Sequence, residues 1–413
     1  MALSEHDSKT LRELAASYMD IAILPVQREK IELWKALNRS QMQRPMVCID
    51  QLPWNELKVD PFLKCTIEDP YWRRVEWELR STIYKWNHFP VDMVVEPFIT
   101  IPKVIINSGF GLRGKADVLK LDVETTAASR HYNGVLRDFE DIEKIKDLVI
   151  TVDTEATQEI WQQAQQIFNG VAPIVQGHGM QFHLGVWDYL TELFGVENAY
   201  MDFVDRPEFL HACMDRITTS AIAGIEQCNA LMIHDDIANR CHCSYVYTDE
   251  FLPAPGQGKG PLSKNSWAFG LAQLFTSVSP GMMEEFEFPY IRRMAAYFGN
   301  IYYGCCDRLD DRLDMVKRIP NVRKVSCSPW SNRKQFAEHI GTELIMSNKP
   351  TPALVAGTSV NWDAVRDDLQ LTVDLAKANN VNLELILKDI STVGNEPDRL
   401  TRWAEIAMKV VGA

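Results

Sequence analysis

The reading of the fold turns on the stretch from Asn300 to the C-terminus, where short β-rich runs alternate with amphipathic helices. Asn300-Ile301-Tyr302-Tyr303-Gly304 precedes a helix with Leu309, Leu313 and Val316 on one face, closed by Pro320. Val322-Arg323-Lys324-Val325-Ser326 precedes a helix holding Phe336 and Ile340, closed by Gly341. Leu344-Ile345-Met346-Ser347 leads through a proline-containing loop to a helix striped by Trp362, Val365, Leu369, Val373 and Ala376. Leu383-Glu384-Leu385-Ile386-Leu387 precedes a last helix that starts near Pro397 and buries Leu400, Trp403 and Ile406. Each helix must carry the chain back before the next strand begins, so the strands are parallel and need cover on both faces. The expected fold is an α/β (β/α)8 TIM barrel with an N-terminal helical extension.

Working outward, earlier strands are expected at Met93-Val94-Val95-Glu96, Pro173-Ile174-Val175-Gln176 and Ala230-Leu231-Met232-Ile233. The Gly- and Pro-rich segment 241–267 reads as a long loop insertion rather than core. Within it, Gly256-Gln257-Gly258-Lys259-Gly260 follows no strand and opens no helix, so a dinucleotide fingerprint is missing, which counts against a doubly wound sheet. Residues 1–85 read as a helical, aromatic-rich extension: Leu11, Leu14, Tyr18 and Ile21 recur at helical spacing, a second helix follows over 26–37, and Trp54, Trp72, Trp77 and Trp86 cluster around Pro53, Pro61 and Pro70. Residues 86–413 are assigned to the barrel.

The composition, 46% hydrophobic and 24% charged over 413 residues, is that of an ordinary globular chain. A net charge of −13 without a Lys/Arg cluster argues against nucleic acid as a partner. No apolar run approaches the roughly 18 residues that would cross a membrane, and the acidic N-terminus does not read as a secretory signal. Nine cysteines, an odd number without the spacing of a disulfide scaffold, suggest a reducing compartment, so a cytoplasmic enzyme is expected.

In a parallel barrel the reactive groups sit just after the strands. Those positions hold Gln176-Gly177-His178, His234-Asp235-Asp236, Cys305-Cys306-Asp307, Ser326-Cys327-Ser328-Pro329-Trp330, Ser347-Asn348-Lys349 and Lys388-Asp389. A thiolate after Gly304 suits zinc, so Cys305 and Cys306 are metal candidates; as an alternative they are two small buried hydrophobes. Cys241-His242-Cys243 is a second metal candidate. Asp235 and Asp236 beside His234 could serve as acid, base or ligand, or simply cap a helix. Lys388 and Asp389 read either as an ion pair or as a cation for a carboxylate or phenolate oxygen. Tyr303, Ser328 and Trp330 are candidates for substrate contact, and Glu284, Glu285 and Glu287 fit a helix start.

Three stretches resemble the uroporphyrinogen decarboxylase superfamily, and specifically its cobalamin-dependent methyltransferase-like branch. They are Gln27-Arg28-Glu29-Lys30 with Arg44-Pro45-Met46-Val47; Gly177 to Glu197 with Arg206-Pro207-Glu208; and Ser277-Val278-Ser279-Pro280 through Glu285-Phe286 and Pro289-Tyr290. The zinc-dependent members carry a His-x-Cys motif where this chain has Tyr303-Gly304-Cys305, and a second Cys where it has Lys388-Asp389. The propionate-binding Gly-Arg-Tyr arm of the decarboxylases is missing. The resemblance implies transfer of a methyl group from a small methylated substrate, such as a methoxylated aromatic, to a corrinoid carried by a partner protein. His178, Asp235, Asp236, Cys305 and Asp307 would activate the leaving oxygen, alone or with zinc, and Lys388 would stabilise developing negative charge. A decarboxylase acting on a small carboxylated substrate, and a non-catalytic corrinoid- or ligand-binding barrel, are the alternatives. A homodimer is the other expected assembly.

Overall fold

The computed structural model describes residues 3–120, 129–177, 179–234, 239–251 and 262–413. Eight parallel-paired strands position the site: β1 (Met46–Ile49), β2 (Ile99–Pro102), β3 (Ile174–Gly177), β4 (Trp267–Gly270), β5 (Asn300–Tyr303), β6 (Val322–Cys327), β7 (Ile345–Asn348) and β8 (Asn382–Leu387). Six of them form one parallel sheet in the order β1-β8-β7-β6-β5-β4, and β2 pairs with β3. Isolated parallel bridges join Met180 to His234 and His183 to Phe269 of β4. Together these elements make an α/β fold around a central parallel sheet.

The helices that cover this sheet start where the sequence supplies caps. α1 (Glu5–Ala22) begins at Ser4, whose side chain accepts from Asp7 N. α2 (Pro25–Asn38) leads into β1, and α3 (Pro70–His88) starts on Asp69, which accepts from the amides of Tyr71 and Trp72, with Pro70 at its first position. α4 (Thr154–Phe168), α5 (Pro207–Leu231), α6 (Trp362–Ala378) and α7 (Asp398–Val410) complete the set used below.

Alternation within the last strands explains the interior. In β8, Leu383, Leu385 and Leu387 point to one face, and Glu384, Ile386 and the following Lys388 to the other. The same period puts Lys324 and Ser326 of β6, and Ser347 and Lys349 at β7, on a shared polar face. All of these polar residues are buried. They satisfy one another: Lys324 Nζ lies 2.7 Å from Glu384 Oε2, Ser244 Oγ donates to the same oxygen at 2.7 Å, and Ser347 Oγ donates to Glu384 Oε1 at 2.5 Å.

Several expectations change here. Sheet structure begins inside the segment assigned to the helical extension, because β1 pairs with β8 along Met46↔Glu384 to Ile49↔Leu387. The apolar run 93–96 is not a strand; side chains hold its backbone, Val95 N donating to Gln27 Oε1 at 3.0 Å, and the strand forms at Ile99–Pro102 instead. The run 230–233 is the end of α5, stopped by a left-handed Met232, and the bridge falls on His234. The segment expected as loop, 241–267, divides: Cys241, Cys243, Tyr245, Val246 and Tyr247 are core, because their polar neighbours bond to buried Lys324, Glu384 and Asn38. Residues 252–261, with Gly256 to Gly260, lie outside the described residues.

Candidate active site

A short hairpin builds one wall of the site. Arg240–Cys241 pairs antiparallel with Ser244–Tyr245, leaving His242 and Cys243 as its two-residue tip. His242 takes φ +52°, a backbone region that glycine occupies more easily, and its ring stacks on Phe269 of β4 with centroids 4.0 Å apart and planes 7° apart. Its Nε2 lies 3.1 Å from Lys388 Nζ, just beyond β8.

Lys388 also donates to Cys305 Sγ at 2.8 Å, across 83 positions of sequence. Cys305 is delivered by Gly304, whose φ is +88° and where a Cβ would stand 2.6 Å from Leu309 Cδ1. Cys306 Sγ lies 3.7 Å from Cys305 Sγ. The Cys306 thiol, then His242 and Lys388, outweigh burial and hold the Cys305 thiol well below its ordinary range; Cys306 itself is pushed up. Burial alone would lower His242, yet its hydrogen bonds to Cys243 and Cys305 raise it to about 9. Lys388 is likewise raised, its burial overcome by Cys243 and Cys305. Near neutrality this is a thiolate flanked by an ammonium and an imidazolium.

A shell of carboxyl groups lies on the other side of Cys305. Asp307, fully buried, accepts from Cys305 N at 2.8 Å and Ala272 N at 3.3 Å, and burial pushes it up to about 6. Asp188 is pushed up to about 7 by burial and then by Asp307. Glu287 is raised well above the carboxylate range by burial, with Tyr303 Oη donating to it at 3.3 Å. Asp188 and Glu287 can therefore hold protons near neutral pH, where an exposed carboxyl would not, while Asp307 is mostly ionised there.

Of the expected residues, the structure brings Cys305, Cys306, Asp307, Lys388 and Asp389 together: Asp389 Oδ2 is 3.3 Å from Lys388 Nζ and 3.6 Å from Cys306 Sγ. Tyr303 reaches Glu287 rather than open space. Ser328 is buried against Ser331 at 3.3 Å, while Trp330 is 73% exposed. His178, Asp235 and Asp236 lie outside the described residues. His242, raised only as part of a metal cluster, becomes a central residue, and His183, Asp188 and Glu287 join it although their segments carry no strand-end signal.

A 540 Å³ cavity borders His242 and is walled by Tyr18, Phe98, Gln181, Tyr245 and Tyr247, with Lys85, Glu96, Asn239 and Arg240 also facing it. His183 borders a neighbouring 740 Å³ cavity, and Gln181 lines both. Volumes of this order suit small organic ligands.

The zinc implied by the resemblance meets an obstacle. A zinc ion needs thiolate and imidazole at about 2.0–2.3 Å, with no competing cation. Here the Lys388 ammonium already donates to Cys305 Sγ and stands 3.1 Å from His242 Nε2, where a metal ion would have to sit. Among the described residues, no group of three or more His, Cys, Asp or Glu is placed to hold a metal. These residues do not fit zinc; the cation of the site is a side chain.

No helix among the described residues is long and apolar enough to cross a membrane. No family model and no curated protein matches the chain. Among solved structures, a methyltransferase from Methanosarcina mazei is similar at a TM-score of 0.52 with 11% identity, over 91% of this chain and 97% of that one. The likeness is one of fold: a parallel α/β architecture extending over nearly the whole of both chains.

Proposed function

We propose that this chain is a methyltransferase of the uroporphyrinogen decarboxylase superfamily, taking a methyl group from a small methylated compound such as an aryl methyl ether, with a corrinoid protein as acceptor. One observation carries the reading: His242, held protonated by thiolates, faces a ligand-sized cavity while Lys388 and Cys305 stand directly behind it. The motif resemblance and the methyltransferase of like fold support it. On the same reading the strands close as a (β/α)8 barrel, supported by the Met180–His234 and His183–Phe269 bridges beyond the six-stranded sheet.

An ether oxygen leaves slowly unless its developing charge is met. As the C–O bond breaks and the methyl group passes to the acceptor, the His242 ring N–H gives its proton to the departing oxygen, yielding the phenol. Lys388 and Cys305 set the field in which the imidazole holds that proton, and Asp307 fixes the Cys305 backbone. The corrinoid would supply the nucleophile.

The test supplies an aryl ether with an isotopically labelled methyl group, the protein and a reduced corrinoid protein. Label on the corrinoid with one equivalent of phenol is expected, slowed about 10²–10⁴-fold in His242→Gln. Release of carbon dioxide from a carboxylated substrate, with no label transferred, would instead point to decarboxylation. Tight binding without turnover would leave a ligand-binding barrel.

A further inference from the structure

The cavity contains two cations that the mechanism above does not use, Lys85 and Arg240. Lys85 lies in the last turn of α3 and lines the cavity. Among the described residues its side chain, only partly exposed, has neither a hydrogen-bond partner nor an ion pair. Arg240, also on the wall, is occupied: it stacks over Tyr245 at 5.1 Å and pairs with Asp50 at 3.2 Å. Glu96, the acid on the wall, is occupied too, accepting from Asn239 and the Tyr247 hydroxyl, and burial pushes its carboxyl up. Lys85 and Arg240 therefore share a single near carboxylate, Asp50, and the cavity keeps an excess of positive charge.

A partly buried ammonium that shares its one near carboxylate with Arg240 leaves positive charge unbalanced, and a bound anion removes the imbalance. Aromatic walls at Tyr18, Phe98, Tyr245 and Tyr247 offer flat surfaces for a ring, and the volume is too generous for an inorganic ion alone. We propose that the cavity binds a small aromatic carboxylate, its carboxylate on Lys85 and its ring between the tyrosines. Placing a methoxyl group toward His242 rests on the methyltransferase reading; the anion site stands without it. Arg240, Asp50 and Cys48 are the charged or titratable groups that act on Lys85, and burial followed by Arg240 lowers it to about 8. It is charged at neutral pH and loses its charge on moderate alkalinisation.

Calorimetric titration of the whole chain with para-methoxybenzoate and its neutral isostere para-methoxybenzamide is the test. The carboxylate should bind about tenfold or more tightly than the amide at neutral pH. Lys85→Met should bring that ratio to about one, and Lys85→Arg should preserve it. In the unaltered protein the preference should fall as the pH passes about 8. Equal affinities in the unaltered protein, an unchanged ratio in Lys85→Met, or no measurable binding of either probe would each overturn the proposal. A preserved carboxylate preference without label transfer would instead remove the methyltransferase reading and leave the anion site in place.

Discussion

Two buried charge clusters share the polar face of the sheet, and they are built differently. Around Lys324 and Glu384 every group is enclosed and matched: Lys324 donates to Glu384, Ser244 Oγ and Tyr245 O, and Glu384 accepts from Ser244 and Ser347 besides. Around Cys305, Lys388 and His242 the contacts are longer, sulfur replaces oxygen, and one member faces a cavity. Tyr302 lies between the two, bonded to Ser347 at 2.7 Å and Lys349 at 2.5 Å, and 3.5 Å from Cys243. The first arrangement fixes strands; the second keeps protons that can move. Burial of a charged pair is thus no guide to function here, because a fully satisfied pair such as Lys324 and Glu384 has nothing left to offer a ligand.

Breaking the enclosed cluster should cost the most. Glu384→Ala leaves Lys324 buried without its partner and should lower unfolding free energy by about 3–5 kcal/mol, with Lys324→Met in the same chain restoring much of it. Denaturant titration reads this, and a loss below about 1 kcal/mol would erase the contrast drawn above. At the open cluster the loss should appear in rate instead. Lys388→Met should slow methyl transfer by about 10²–10³-fold. In the same variant, alkylation of Cys305 should begin at a higher pH than in the unaltered protein, because the thiolate has lost a neighbouring cation.

The proton inventory of His242 sharpens the comparison further. Its value rises from 6.5 to about 9 on folding, so its contribution is full below pH 6.5 and disappears as the pH climbs through about 9. Relative to His242→Gln, the unaltered protein should gain about 1–2 kcal/mol at the acid end of that window and nothing at the alkaline end. Thermal melts across the window decide it; a constant difference would mean that the imidazole does not carry the charge assigned to it. Smallest of all, Trp330→Ala should change stability by no more than about 0.5 kcal/mol and leave the rate alone, since its ring is exposed. A marked rise in KM would return Trp330 to the substrate site.

The parallel α/β character was legible because strand and helix periods alternate cleanly from Asn300 onward, and β5 to β8 fall where those periods put them. Cys305, Asp307 and Lys388 were legible for a related reason: polar residues directly after apolar strands have few places to go except a common end. What periodicity reports is a face, never a partner. It marks Lys324 and Glu384 as facing the same way but cannot say that they touch, and it cannot bring Lys388 to a thiol 83 positions away. The hairpin at 240–245 was harder still. Its polar composition resembles a solvated loop, and only the buried groups waiting for it on other strands make burial favourable.

The backbone at His242 has a consequence of its own. A non-glycine residue at φ +52° sits about 1–2 kcal/mol above its relaxed state, and the hairpin would accept glycine there with less strain. Above about pH 9, where the imidazole no longer contributes its charge, selection for thermal tolerance should therefore favour His242→Gly, giving a sturdier turn with an empty tip. An imidazole at that apex is a side chain kept against the preference of its own main chain, and laboratory evolution run with and without a demand for turnover should pull this single position in opposite directions.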